Sequence, residues 1–476
     1  MKKLLQEAYS PESFRKNGHK VVDLLADYLN KAISGKEIPV MNWKTPEKQF
    51  GFWNDYQGQY KNLDSFFKDV IDHSIHLHHP KYVGHQVSAP LPVTALSAMV
   101  SALLNNGMAI YEMGPVASAL EKWVVTKFAE QLGFEDSASG FLTSGGTLAT
   151  LTALLAARQI QSGRKAWEEG LTEKLCILVP EHSHYCVDRA TRIMGFGSDG
   201  IAKVPVNEHF QMDPSQLKSS LKKAEINGRK VIAVVANACS TATGTYDDLK
   251  AIGDFCKKHK IWFHVDAAHG GGAIFSKKYK HLLEGIEEAD SVIIDLHKML
   301  MNPALSTIVM FKDGKNSYET FNQKAQYLWA QEDEEWFNYA KRTFECTKLM
   351  MSMKFYSIIH QYGFEIFDQN VTTLYNLTAS FAKLIKNRSQ FEIATKPMAN
   401  ILCFRILERK GEKSLNELNQ KIRQSILEEG EFYIVQTELD GIVYLRVTLM
   451  NPFTTEKHLE ELLDKIEFLS GNLGST

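Results

Sequence analysis

Residues 261–304 read IWFHVDAAHGGGAIFSKKYKHLLEGIEEADSVIIDLHKMLMNPA. Two short apolar runs, 261–265 and 291–295, are set apart by a longer polar stretch. The first leads into Asp266 and the second ends on Asp295. Further runs of this kind lie at 175–179, 231–236 and 306–311, with helical segments at 216–225 and 249–258 between some of them. Strands that alternate with helices predict an α/β domain with a largely parallel sheet. Ligands in such sheets gather at the carboxyl ends of the strands, which is where Asp266 and Lys298 fall.

Outward from this core the pattern changes. Val21, Val22, Leu25, Tyr28, Leu29 and Ile33 recur at helical spacing after Ser10-Pro11-Glu12 and predict an amphipathic helix over 13–34. Residues 91–132, rich in Ala and Leu, read as further helices. A long helix is expected over 340–361, stopping near Gly363. Strands at 401–406, 432–437 and 443–449 with helices at 415–429 and 455–469 predict a small α+β unit, and the tail SGNLGST reads as frayed. No repeat at a fixed period is visible.

The 476 residues suggest about three units at roughly 150 residues each. Fifty-four basic against 56 acidic side chains leave a net charge of −2, which offers no general attraction for nucleic acid or an anionic membrane. Cys176, Cys186, Cys239, Cys256, Cys346 and Cys403 form no CxxC pair, a pattern of reduced thiols rather than a disulfide framework. The N-terminus lacks a signal-peptide core, and no apolar run reaches the length of a membrane span. These features predict a cytoplasmic protein.

Four motifs carry chemistry. Thr143-Ser144-Gly145-Gly146-Thr147 precedes the run LATLTALLAAR, so small residues open a helix whose amide donors and positive dipole end suit phosphate. A glycine-rich connection to a buried helix reads equally from these residues alone. Asp266 at a strand tip either grips a cationic heterocycle nitrogen or caps a loop. Lys298, among Leu296, Met299, Leu300 and Met301, is expected to be partly desolvated, which favours the neutral amine needed for an imine; a snorkelling lysine is the plain rival. In PEHSHYCVDRA, residues 180–190, a histidine ring can stack on a flat cofactor, whereas His182 and His184 lack further partners for a metal. No metal site is expected there or at His76, His78 and His79. Together, a phosphate cradle, an acid, a lysine 32 residues beyond it and an aromatic stacker at strand ends make the parts list of a pyridoxal phosphate site.

In this order, the motifs resemble those of the group II pyridoxal phosphate-dependent amino acid decarboxylases, which act on glutamate, cysteine sulfinate, diaminobutyrate and aromatic amino acids. The similarity runs through FRKNGHKVVDLLADYL, HPKYVGHQ, YEMGPV, TSGGTLATLTALLAAR, HSHY, HVDAAHGG, HKML and LRVTLMNP. It implies a fold type I (aspartate aminotransferase-like) large domain. Three parts follow: an N-terminal helical dimerisation segment over 1–79, a cofactor-binding α/β domain over 80–355 and a small α+β domain over 356–476. By the same resemblance Lys298 is the imine lysine and Asp266 the partner of the pyridine nitrogen. His184 stacks on one ring face and Ala268 lies on the other. Gly146, Thr147, Ser240 and His297 attend the phosphate. Tyr327, in KAQYLWAQ, matches the catalytic-loop tyrosine that returns a proton to the substrate carbon. Gln86, His85 and Arg446 match substrate-binding positions.

The chain departs from the family pattern in places. Asp295 stands where relatives often have asparagine, and Cys239-Ser240-Thr241 replaces Gly-Thr-Thr. His85 stands where glutamate enzymes tend to have asparagine, and Gly107 and Ala109 replace larger pocket residues. The resemblance implies a homodimer that α-decarboxylates an L-amino acid. YEMGPV and HQ lie nearer the acidic and diaminobutyrate enzymes, so a short polar or acidic substrate is expected, with aromatic substrates second. An aminotransferase or lyase on the same fold and a non-catalytic binding relative are the rivals.

Overall fold

The computed structural model describes residues 2–56, 62–163, 165–321, 335–407 and 412–473. The chain forms two compact units. One comprises residues 86–376 and 395–401, the other residues 1–85, 377–394 and 402–476.

The larger unit is built on a seven-stranded sheet. Its strands are β1 (Ser139–Thr143), β2 (Leu175–Pro180), β3 (Ile201–Val204), β4 (Lys230–Asn237), β5 (Trp262–Asp266), β6 (Ser291–Asp295) and β7 (Thr307–Phe311), in the order β1-β7-β6-β5-β4-β2-β3. Strands β2 to β6 pair in parallel, while β7 runs antiparallel to both β6 and β1. β2, β5, β6 and β7 are buried along their whole length. Continuous apolar runs in these strands follow from a sheet covered on both faces. One cover is the helix Gly146–Ser162, whose residues from Ala149 to Gln159 are all buried. A helix made of LATLTALLAA has no polar face to turn to water and is driven inside.

Register decides where the chemistry falls. Asn237 lies opposite Asp266, Asp266 opposite Ile293, and Thr307 opposite both Asp295 and Thr143. The carboxyl ends of β4, β5, β6 and β1 therefore form one row. Asp247 fixes the β4 end of that row. Its buried carboxylate accepts the N–H of Asn237 and that of Met212, each at 2.7 Å, and burial pushes its pKa up to about 6.

The smaller unit has a four-stranded sheet: β8 (Phe391–Ile393), β9 (Ile401–Ile406), β10 (Val435–Leu439) and β11 (Ile442–Thr448), ordered β10-β11-β9-β8. The helices Glu412–Glu429 and Glu456–Leu473 contribute Ile422, Leu462 and Ile466 to its core beside Phe404 and Leu445. The N-terminal chain joins this unit through Val83, which donates to the Tyr433 carbonyl at 3.1 Å and accepts from the Thr448 amide at 2.8 Å. Tyr82 and Tyr433 stack with centroids 5.3 Å apart. The expected amphipathic helix is Pro11–Ser34; Ser10 caps it by accepting the Ser13 N–H at 3.2 Å, and Gly35 ends it at φ +63°.

Three expectations need correction. The helix expected over 340–361 begins only at Met351 and ends at Tyr362. Residues 342–348 instead run beside β1, held by buried polar contacts that a regular helix would not offer. β1 and β3 escaped the sequence reading, since SGFLT holds only two adjacent apolar side chains, Phe141 and Leu142, and IAKV is broken by Lys203. The tail is helical to Leu473 rather than frayed from Ser470.

One buried histidine gives this fold a pH signature. In β5, His264 is wholly buried, its Nδ1 lies 2.8 Å from Ser291 Oγ, and Trp262 Nε1–H donates to that same oxygen at 2.9 Å. Burial depresses its pKa to about 4. Between pH 6.5 and 4 the unfolded chain binds a proton here that the folded chain refuses, so stability falls as pH falls through that window. The loss at this residue is on the order of 3 kcal/mol. Urea midpoints of wild type and His264→Gln measured from pH 7 to 4 should therefore converge toward acid. Parallel curves would show that His264 does not titrate as its burial requires.

Candidate active site

Each group at the row of strand ends arrives there by local geometry. Asp266 is the last residue of β5 and is buried, with Oδ1 accepting the Ala268 N–H at 3.1 Å. Burial raises its pKa, against the pull of Lys298 and His184. Ala268 in turn accepts the Asp295 N–H at 3.0 Å, which ties the β5 end to the β6 end. After β6 the chain turns tightly, with the Lys298 N–H donating to the Asp295 carbonyl at 3.3 Å.

That turn folds Lys298 back onto Asp295. Its Nζ lies 2.9 Å from Asp295 Oδ2, and His297 Nε2 lies 3.6 Å from the same oxygen. Thr307 donates its hydroxyl to Oδ1. Burial alone would raise the Asp295 carboxyl; Lys298, His297 and the Thr307 hydroxyl outweigh it and hold the group ionised. Burial alone would likewise lower the Lys298 pKa, but Asp295 and then Asp266 raise it above its ordinary value. This corrects the expectation of a neutral amine from desolvation: an apolar neighbourhood is visible in sequence, but the ion pair that overrides it is a matter of side-chain position.

The glycine-rich turn stands directly over this pair. Gly145 has φ +131°, a conformation that only glycine adopts without strain. A Cβ on Gly146 would lie 3.3 Å from Asp295 Oδ1, so a side chain there would crowd the carboxylate. The helix that starts at Gly146 has no side-chain cap, which leaves its first-turn N–H groups available to an anion. A cavity of about 320 Å³ opens beside it, lined by Ser144, Gly145, Gly146 and Thr147 with Arg189 and Leu305. His184 is half-buried at the start of the helix Tyr185–Ile193, where its Nδ1 accepts the Cys186 N–H at 3.3 Å. Its pKa is lowered by burial, with Asp266 opposing and Lys298 assisting. Ser240, beyond the end of β4, is buried and its Oγ has no partner among the described residues.

The larger unit thus brings together Lys298, Asp266, Asp295, His297, Ala268, Gly146, Thr147 and His184. Gln86 belongs to the same unit, with Nε2 buried and unpartnered among the described residues. His85 and Arg446 belong to the smaller unit, where the His85 pKa is lowered by removal from water and by the charges of Arg446 and Arg423. Tyr327 lies outside the described residues. Thr307 was missed by sequence reasoning: it reaches Asp295 only because β7 pairs with β6, and no local motif announces that pairing. Among the described residues no group of three His, Cys, Asp or Glu is placed to hold a metal ion.

A pyridoxal phosphate molecule suits these residues. An uncapped helix start, a glycine where a side chain would crowd Asp295 and a buried hydroxyl without a partner among the described residues fit its phosphate; a buried acid with a raised pKa fits its basic ring nitrogen; and a lysine amine fits its aldehyde. The comparisons with known proteins agree. Residues 54–407 match the pyridoxal-dependent decarboxylase conserved domain, and the chain belongs to that family. It is a pyridoxal phosphate-dependent amino acid decarboxylase of fold type I. It is 26% identical to an aromatic-L-amino-acid decarboxylase of Bacillus atrophaeus, over 97% of this chain and 96% of that protein. It is 29% identical to an L-2,4-diaminobutyrate decarboxylase of Rhizobium meliloti, over 84% of this chain and 79% of that one. In fold it superposes on mouse CSAD in its apo form with a TM-score of 0.90 at 23% identity, over 97% of this chain and 99% of that one.

The Asp295–Lys298 pair makes a direct prediction. Asp295→Asn removes the strongest influence that raises the Lys298 pKa, so Lys298 should become reactive at lower pH. The rate at which pyridoxal condenses with the cofactor-stripped protein, followed by absorbance across pH, should shift toward acid. An unchanged profile would mean that Asp295 does not govern the amine.

Proposed function

We propose that the enzyme removes the α-carboxylate of a short polar or acidic L-amino acid, namely glutamate, aspartate, cysteine sulfinate or 2,4-diaminobutyrate, releasing the amine and carbon dioxide. The observation that carries the reading is the convergence of Lys298, Asp266 and an anion-binding helix start on one row of strand ends. For the substrate, two points weigh. Arg446 and Gln86 match positions that would hold a side-chain carboxylate, with His85 able to tune this either way, and the diaminobutyrate enzyme of Rhizobium meliloti is similar over most of the chain. Gln86, whose amide nitrogen has no partner among the described residues, would donate to the substrate.

The cofactor, when bound, supplies a conjugated electron sink for the pair released as carbon dioxide leaves. The chain's residues supply the rest. Lys298 would hold the cofactor and yield its place to the incoming amino group. Asp266 would keep a proton on the ring nitrogen, the state in which the ring best accepts electrons. His184 and Ala268 would fix the ring between them, and Gly146, Thr147, Ser240 and His297 would hold the phosphate end. Tyr327 would return a proton to the substrate Cα.

We further infer a homodimer in the cytoplasm, with residues 1–79 as dimerisation segment before parts at 80–355 and 356–476. Phe14, Val22 and Leu25 are exposed along the helix Pro11–Ser34 and would be covered by a second copy. Light scattering that returned an active monomer would overturn this.

An aromatic substrate is the second reading, favoured by the similarity to the Bacillus atrophaeus enzyme over nearly the whole chain. Incubation with pyridoxal phosphate and pooled L-amino acids, with products identified by mass spectrometry, separates the two. A single amine from an acidic or short polar amino acid is expected. An arylalkylamine would move the assignment to aromatic substrates, and keto acids without amine would overturn decarboxylation. Lys298→Ala should lower turnover by on the order of 10³-fold or more.

A further inference from the structure

β1 is an edge strand: it pairs with β7 on one side only. Among the described residues no strand neighbours its other side, yet Leu142 is wholly buried. A buried N–H or C=O left unpaired is costly, so both outward groups of Leu142 need partners. They find them in a single ion pair. Glu121, on the helix Pro115–Leu132, accepts the Leu142 N–H through Oε1 at 2.9 Å. Lys348 donates to the Leu142 carbonyl at 2.8 Å and to the same Glu121 oxygen. The two side chains are 0% and 3% exposed, respectively.

An ion pair buried this deeply contributes little net stability, because the desolvation of both charges offsets their attraction. A pair of apolar side chains would fill the same space, but could not hold a backbone N–H and a backbone C=O in one place. What the pair achieves that packing cannot is location. Two residues beyond Leu142 the chain enters Ser144-Gly145-Gly146-Thr147. The segment that supplies Lys348 grips this stretch twice more: Arg342 donates to Ser139 Oγ at 2.8 Å, and Ser144 donates its hydroxyl to Glu345 at 3.1 Å. Within the turn itself, Thr143 donates its hydroxyl to the Gly145 carbonyl at 3.2 Å. The glycines have no side chains of their own to fix their place, so their position is inherited from these contacts.

We propose that Glu121 and Lys348 are positioning residues for the cofactor's phosphate: by holding both outward backbone groups of Leu142 they set where the amides of Gly145, Gly146 and Thr147 stand. The proposal rests on the reading of residues 145–147 as the phosphate cradle. Neither side chain lines the cavity beside the glycine-rich turn. Their effect is confined to the phosphate end, whereas the ring end is held by Asp266 and Lys298, whose positions come from β5 and β6.

The test compares two ligands that differ only in the phosphate. Full-length protein stripped of cofactor is titrated with pyridoxal phosphate and with pyridoxal, followed by absorbance, for wild type, Glu121→Leu/Lys348→Met, Glu121→Gln/Lys348→Met and Glu345→Ala. In Glu121→Leu/Lys348→Met the preference for pyridoxal phosphate over pyridoxal should fall about tenfold, with pyridoxal affinity held within about twofold. Glu121→Gln/Lys348→Met keeps an acceptor for the Leu142 N–H and should recover part of that preference. Equal losses for both ligands, or an unchanged preference in the folded double variant, overturn the proposal. Should that variant not fold, Glu345→Ala removes only the tie to Ser144 and should lower the preference by about twofold; no change there overturns the proposal equally. A wild-type protein that binds both ligands alike would instead sink the cradle reading itself.

Discussion

The buried carboxylate of Asp295 is the interaction on which the rest of this site depends. It ends β6 and faces Thr307 across the strand pairing; it also lies against Gly146 and draws both Lys298 and His297 toward one oxygen. A charge in that position is tolerable only with such partners. Removing any one of them changes the others, since Lys298 keeps its proton because of Asp295 and Asp295 loses its own because of Lys298. The amine that must react with an aldehyde is thus stored as an ammonium, with its base beside it.

The same pairing bears on how an anion can be received. The helix start at Gly146 favours negative charge, yet a carboxylate already sits where a Cβ on that glycine would meet it. An arriving phosphate does not meet a bare negative group, because Lys298, His297 and Thr307 already engage Asp295. Reaction at Lys298 would leave the Thr307 hydroxyl and the nearby His297 ring as the other partners of Asp295.

Much of this was legible in the sequence because it is local. Strand, acid and lysine lie within one stretch of chain at 261–304; the cradle is five consecutive residues; the helix start at Ser10-Pro11 carries its cap in its own letters. The parallel sheet followed from short apolar runs that alternate with helical segments. β1 and β3 did not, because SGFLT has only two adjacent apolar residues and IAKV is interrupted by Lys203. The helix expected over 340–361 failed for a related reason: its pattern is helical, but residues 342–348 are claimed by the open edge of β1.

What the sequence hid is the set of contacts between residues far apart along the chain. Thr307 meets Asp295 through strand pairing, and Lys348 meets Glu121 across more than two hundred residues. Neither is announced by a motif, since each depends on a register or an edge that exists only once the sheet has formed. The lysine amine illustrates the consequence. Its apolar neighbours in sequence argue for a neutral group, and its three-dimensional neighbours reverse the sign. Local composition predicts the desolvation of a buried charge; the pairing with Asp295 and Asp266, whose combined attraction outweighs that desolvation at Lys298, is a property of the fold.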